Sequence, residues 1–234
     1  MSIHDGHRQR MRNRFLKSGL ANMETHEVLE LLLYHCIPRS DTNALAHRLI
    51  KRYKTLRGVL QAPVAELMAI EGVGEGTATF LSLLNETVRY VNVEKAADIK
   101  IIESVEHCVE YVCPLFDGVC NEQVYMVCLD AKLGVLGHHL LCEGAVTSVT
   151  LSPRSVLEIA MKTNAASVVL VHNHPGGLVL PSAEDIDTTR HLAMILNNVN
   201  IPLIDHIIVS DRDFLSMART GNLRNEAYLT GYMR

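Results

Sequence analysis

Along the first ninety residues, apolar positions recur at three- and four-residue spacing, the mark of helices with one buried face. Val28, Leu29, Leu31, Leu32 and Leu33 make a broad apolar face after Thr25, and Leu45, Leu49, Ile50 and Tyr53 make a second after the capping candidates Asp41 and Thr42. Pro63 suits the first turn of a third helix over 64–70, where its missing N–H would have no partner anyway. A glycine-punctuated run, Glu71-Gly72-Val73-Gly74-Glu75-Gly76-Thr77-Ala78, then leads into a helical stretch to about Val91. The pattern predicts an all-helical domain over 1–91. Residues 92–103 mix charge and alanine without periodicity and are expected to be a linker.

From Ser104 onward, helix-period segments alternate with short apolar runs. Ser104 is expected to cap a helix to about Val112, stopped by Pro114; Gln123–Leu129 reads as a strand, and Asp130–Gly134 as a turn into another. Ser152-Pro153 opens a helix with Val156, Leu157, Ala160 and Met161 inward, leading to a strand over Ser167–Val171. A helix from Ser182 to about Asn197 and an edge strand over Ile201–Val209, with Pro202 near its start, complete the pattern. Such alternation predicts a layered, mixed α/β domain over 104–225, with 226–234 as a tail.

Composition narrows the class. Hydrophobic residues at 48% and charged ones at 21% supply enough apolar surface to offset the entropy of ordering, so disorder is excluded. No apolar run approaches the ~20 residues that cross a bilayer. The start MSIHDGHRQRMR has no apolar stretch behind its basic residues, so the expectation is a cytoplasmic protein without a membrane partner. Six cysteines without a CxxC pair do not make a disulfide framework. The net charge of −4 conceals an asymmetry: residues 1–57 hold 11 Lys and Arg against 5 Asp and Glu, and the remainder 11 against 21. A basic first segment suits a polyanion such as nucleic acid, although a solvated basic surface explains it equally well.

The chemistry gathers at Val171-His172-Asn173-His174-Pro175, where an apolar strand ends. Residues two apart on a strand share a side, so His172 and His174 present both imidazoles to one spot. Asp185 follows eleven positions after His174, in the first turn of the next helix, within folding reach of the strand tip. Two imidazoles and one carboxylate leave tetrahedral Zn²⁺ a fourth position for water, whose pKa then falls from 15.7 to about 7. Each feature also has a plain reading. A His-x-His pair can be a polar strand end, and Ser182-Ala183-Glu184-Asp185 is a capping box in which Ser182 and Asp185 satisfy the helix start. The roles are compatible, because a cap holds Asp185 in a defined place.

His172-x-His174, seven residues, Ser182, two residues and Asp185 together resemble the JAMM motif of MPN-type metalloenzymes. The surrounding text, from Ser152-Pro153-Arg154 through His172-Asn173-His174-Pro175-Gly176-Gly177 to Leu203-Ile204-Asp205-His206, is similar to the bacterial RadC family, as is Gly6-His7-Arg8-Gln9-Arg10-Met11-Arg12. The chain departs from that family at Gly176-Gly177, where Ser-Gly is usual, and at Ser155, where Glu is common. The resemblance implies a cytidine-deaminase-like layered α/β fold, one Zn²⁺ held by His172, His174 and Asp185, and hydrolysis of a protein or peptide amide. It also implies a glutamate general base. Spacing alone leaves Glu122, Glu143, Glu158 and Glu184 open, and the resemblance favours Glu122, at the start of a strand and 50 residues before His172. Ser182 would donate a hydrogen bond to the tetrahedral oxyanion. Asp205 and His206 would either orient a ligand imidazole or serve packing.

The glycine run resembles a helix-hairpin-helix, whose backbone N–H groups, here those of Gly72, Gly74 and Gly76, contact a DNA phosphate without reading sequence. Glu75 and the lack of a lysine near Thr77 weaken that expectation, and a domain-packing hairpin would need the same glycines. The reading is therefore a zinc-dependent peptidase or isopeptidase with weak DNA affinity in its helical domain. The rivals are a DNA-associated scaffold with a vestigial metal site and a metal-dependent nuclease, the latter suggested by the family's DNA-repair name. One ion held by two histidines and an aspartate suits amide hydrolysis better than two-metal phosphate chemistry.

Overall fold

The computed structural model describes residues 3–38, 40–119, 121–144, 151–210 and 213–223. The tail expected at 226–234 lies outside them. The chain divides into two compact units, residues 1–88 and 89–234. No helix among the described residues is long and apolar enough to cross a membrane.

The first unit is helical. α1 (Ile3–Ser18), α2 (Thr25–Cys36), α3 (Asn43–Tyr53), α4 (Leu56–Leu60) and α5 (Val64–Met68) precede α6 (Glu75–Ala96). Leu29, Leu33, Leu45, Leu49, Leu67 and Leu81 are fully or almost fully buried in one cluster, so the apolar stripes legible in the sequence do face a common core. Neither Asp41 nor Thr42 caps α3 in the usual way: Thr42 makes no side-chain cap bond, and Asp41 Oδ1 accepts from Asn43 N. α6 continues past residue 88 into the second unit and runs through residues 92–96, where a linker begins in the sequence reading; there Val93 packs against that unit's own core.

The second unit is a five-stranded mixed sheet between helical layers. α7 (Val105–Val112) starts at Ser104, whose hydroxyl accepts from His107 N. The α-helix ends at Val112 just before Pro114, as expected, and Pro114 sits at the start of a 3-10 turn over Cys113–Phe116, where its missing N–H has no partner anyway. β1 (Gln123–Leu129), β2 (Val135–Glu143), β3 (Ser167–Asn173), β4 (Leu203–Val209) and β5 (Phe214–Ser216) lie in the order β2-β1-β3-β4-β5. β3 and β4 run parallel, joined by α9 (Ala183–Asn197), and the other pairs are antiparallel. α8 (Pro153–Lys162) and α9 cover one face over Met126, Val168 and Leu170; α7 and the 3-10 turn cover the other over Val127, Val169 and Val171. Burial on both faces explains why β3 reads as an unbroken apolar run.

Two expectations are corrected. Met161 is 69% exposed: the inward face of α8 is Val156 and Ala160, with Leu157 and Ile159 partly covered, and Met161 lies beyond the edge of that stripe, turned to solvent. β4 is internal rather than at the edge, because β5 pairs with it; β5 is three residues long, too short to show periodicity.

Candidate metal centre

β3 delivers His172 and His174 to the end of the sheet, and α9 delivers Asp185 in its first turn. The three side chains converge, with one ligand atom from each lying within 4.8 Å of the others. His172 and Asp185 are buried and His174 is partly exposed, so the cluster opens to solvent on the His174 side. His172 Nε2 lies 2.6 Å from His174 Nε2 and 3.9 Å from Asp185 Oδ1.

The hydrogen-bond network fixes which ring nitrogens carry protons. His174 Nδ1 faces the Leu178 carbonyl at 2.8 Å and must donate, which leaves its Nε2 a lone pair. On the other ring the chain of logic starts at Thr189, whose hydroxyl donates to the Asp185 carbonyl at 2.5 Å. Thr189 Oγ1 therefore accepts from His206 Nδ1 at 2.6 Å, and His206 Nε2 accepts from His172 Nδ1 at 2.9 Å. His172 Nε2 is then also a lone pair. Burial pushes both His172 and His206 below the ordinary imidazole pKa, which keeps the rings neutral. Two imidazole lone pairs and a carboxylate oxygen thus face one another with no proton between them, a donor set that fits a cation. His206 supports the ligand from behind, as the sequence allowed.

Asp185 is held by the capping box at the start of α9. Its N–H donates to Ser182 Oγ at 3.0 Å, and its Oδ2 accepts from Ser182 N at 2.8 Å and Ser182 Oγ at 2.7 Å. The cap uses Oδ2 and leaves Oδ1 for the cluster. Capping and ligation, alternatives in the sequence, occupy different oxygens of one carboxylate.

Asp205 separates from His206. A register shift beside Val168 and Val169 places His206 opposite Leu170, on the His172 side, and turns Asp205 to the other face. There Asp205 accepts from His206 N, Ala218 N and Ser216 Oγ, and its burial raises its pKa from 3.8 to about 6. It anchors the turn after β5 and touches no ligand.

Of the four glutamates, Glu158 pairs with Arg154 and Glu143 accepts from Asn121. Glu184 lines an open cleft of about 550 Å³ beside the first turn of α9, together with Asp187, Thr188 and His191. Glu122 is half-buried, and its carboxylate has no hydrogen-bond partner among the described residues. The β1–β3 ladder ends with Val124 opposite His172, so Glu122 lies two residues before the last paired residue of β1, just beyond the ladder at the end of the sheet that carries the histidines. Thr189 and Asn173 escaped the sequence reading; the i+4 spacing of Thr189 from Asp185 was the one available signal.

In the first unit, the glycine run crosses from α5 into α6. Gly72 takes φ +91°, a left-handed value that favours glycine, whereas Gly74 and Gly76 have open space where a side chain would stand. Arg48 lies beside Gly72 and donates to the Glu71 carbonyl.

Comparison with known proteins agrees with this division. Residues 102–222 match the family model described as the RadC-like JAB domain, and residues 6–79 match UPF0758 N-terminal. The chain is 31% identical over 223 residues to a UPF0758 protein of Fusobacterium nucleatum, covering 92% of this chain and 96% of the relative. It is 33% identical over 217 residues to one of Ruegeria pomeroyi, covering 93% and 97%. A Burkholderia cenocepacia relative is 35% identical over 217 residues, covering 91% and 83%.

Proposed function

Since this chain belongs to the RadC family, with its JAB-type domain, we propose that it is a zinc-dependent hydrolase of peptide or isopeptide bonds. The observation that carries the reading is the pair of Nε2 lone pairs beside Asp185 Oδ1, with no proton to separate them. Zinc suits two imidazoles and a carboxylate, and when bound it supplies Lewis acidity that brings the pKa of water to about 7. His172, His174 and Asp185 hold the ion. Glu122, two residues before the His172 partner Val124 and with its carboxylate unengaged, takes a proton from the attacking water and returns it to the leaving amine. Ser182 turns its hydroxyl from Asp185 Oδ2 toward the developing oxyanion, while Ser182 N keeps its bond to that oxygen.

Purified protein should hold about one zinc, lost when His172 and His174 are changed to Ala. A quenched-peptide library, isopeptide-linked members included, should be cleaved by the zinc-loaded protein. The Glu122→Gln variant should keep zinc and lose roughly 10²–10⁴-fold in rate. Stoichiometric zinc with no cleavage of peptides would favour a scaffold, and cleavage of DNA alone a nuclease.

For the first unit, weak sequence-independent DNA contact through the N–H groups of Gly72, Gly74 and Gly76 is supported by Arg48 beside the hairpin and by the basic balance of residues 1–57. Affinity for a random duplex should fall steeply with salt and weaken on Arg48→Ala. Salt-independent binding would contradict it.

A further inference from the structure

We propose that Asn173, the residue between the two histidines, is the positioning residue for Glu122; the inference rests on the reading of Glu122 as the base. The β1–β3 pairing reaches only Val124 and His172. Beyond it the Asn173 side chain takes over. Its Oδ1 accepts from Gln123 N at 2.6 Å and its Nδ2 donates to Asn121 O at 3.1 Å. These two groups flank Glu122 in the chain, and the Glu122 carbonyl itself accepts from Gly144 N at 2.7 Å.

Glu122 has no side-chain partner among the described residues, so the placement of its backbone sets the region its carboxylate can sample. Two of the three bonds on that backbone come from one amide. Asn173 is 5% exposed, and a buried amide of this kind is costly unless both ends are satisfied. A backbone N–H needs an acceptor and a carbonyl needs a donor, so one orientation of the amide serves both, and neither Asp nor Ala can replace it. Asn173 also belongs to the strand tip that carries the imidazoles, where His174 N donates to Val209 O. The clamp thus refers the backbone of the base and two ligands to the same stretch of chain, and so limits where the Glu122 carboxylate can reach.

The test uses the full chain with Asn173→Ala, Asn173→Asp, Glu122→Gln and the double variant. Asn173→Ala and Asn173→Asp should keep about one zinc, because neither removes a ligand. Cleavage of the quenched-peptide library should drop about 100-fold in kcat with KM little changed. Added to Glu122→Gln, Asn173→Ala should cost nothing further, since the group it places is gone. In metal-free protein the Gln123 amide should exchange faster in Asn173→Ala, while the Leu170 amide stays protected. Turnover within about twofold of wild type in Asn173→Ala, despite the lost Gln123 protection, overturns the proposal. So does an equal loss in both backgrounds. Full activity of Glu122→Gln overturns the base assignment instead, and the amide exchange still reads the clamp. If the library is not cleaved at all, broadening of the Glu122 carboxyl carbon by bound Co²⁺ decides: equal broadening in wild type and Asn173→Ala overturns the proposal, and its loss in the variant supports it.

Discussion

Thr189 Oγ1 carries one hydrogen, donated to the Asp185 carbonyl, so it accepts from His206 and sets the direction of the bonds that follow. Thr189→Val removes that acceptor and leaves the His206 N–H buried without a partner. Zinc affinity, measured by competition with a chelator, should weaken about 10–100-fold, whereas Thr189→Ser should bind as wild type. Equal affinity in both variants would show that the relay does not orient His172. Asp205, on the other face, predicts a pH effect. Its folded pKa, about 6, lies above its ordinary 3.8, so its contribution to stability is full below pH 4 and declines as pH rises toward 6. Between those values wild type should lose roughly 2–3 kcal/mol relative to Asp205→Asn, read from urea melts of both across the range. His172 and His206, with pKa values pushed down by burial, act in the opposite sense below pH 6.5, and the difference between the two proteins cancels them. Parallel curves would mean that the Asp205 carboxyl is not perturbed.

At the scale of elements, the centre is a meeting of strand ends with a helix start. The parity of β3 points His172 and His174 one way, the register shift in β4 brings His206 to the same face, and the capping box of α9 sets Asp185. Ser182→Ala removes the hydroxyl that accepts from Asp185 N and donates to its Oδ2. The helix cap should cost about 1 kcal/mol of stability. Zinc affinity should fall as well, because Asp185 loses one of its holds, while Ser182→Thr should restore both. A loss of stability with unchanged zinc affinity would confine Ser182 to capping.

The whole chain comprises two compact units, and the described cluster of metal-ligating side chains lies in the second. Calorimetry should accordingly resolve two unfolding transitions, of which zinc raises only that of residues 89–234. The gain is about 2.7 kcal/mol at a free concentration 100 times Kd. A shift of both transitions would mean that the units unfold together. Much of this organisation was legible along the chain, because periodicity is a local property: Gln123–Leu129 reads as a strand, Ser104 as a cap, and Ser182 with Asp185 as a capping box, each confirmed within its own few residues. Where the pattern was short or its consequence distant, reading fell short. Met161 continues an apolar stripe but is turned to solvent, and β5 makes β4 internal with only three residues. Asp205 and His206 point to opposite faces as strand neighbours must, and only the one-residue shift against β3 decides that His206 is the one on the His172 side. The order of residues alone specified the His-x-His pair, the helix start that presents Asp185 and the sheet between helical layers, since these follow from spacing. Tertiary contacts assigned the proton to each ring nitrogen and the partner of each imidazole, since these depend on register and packing between segments far apart in the chain.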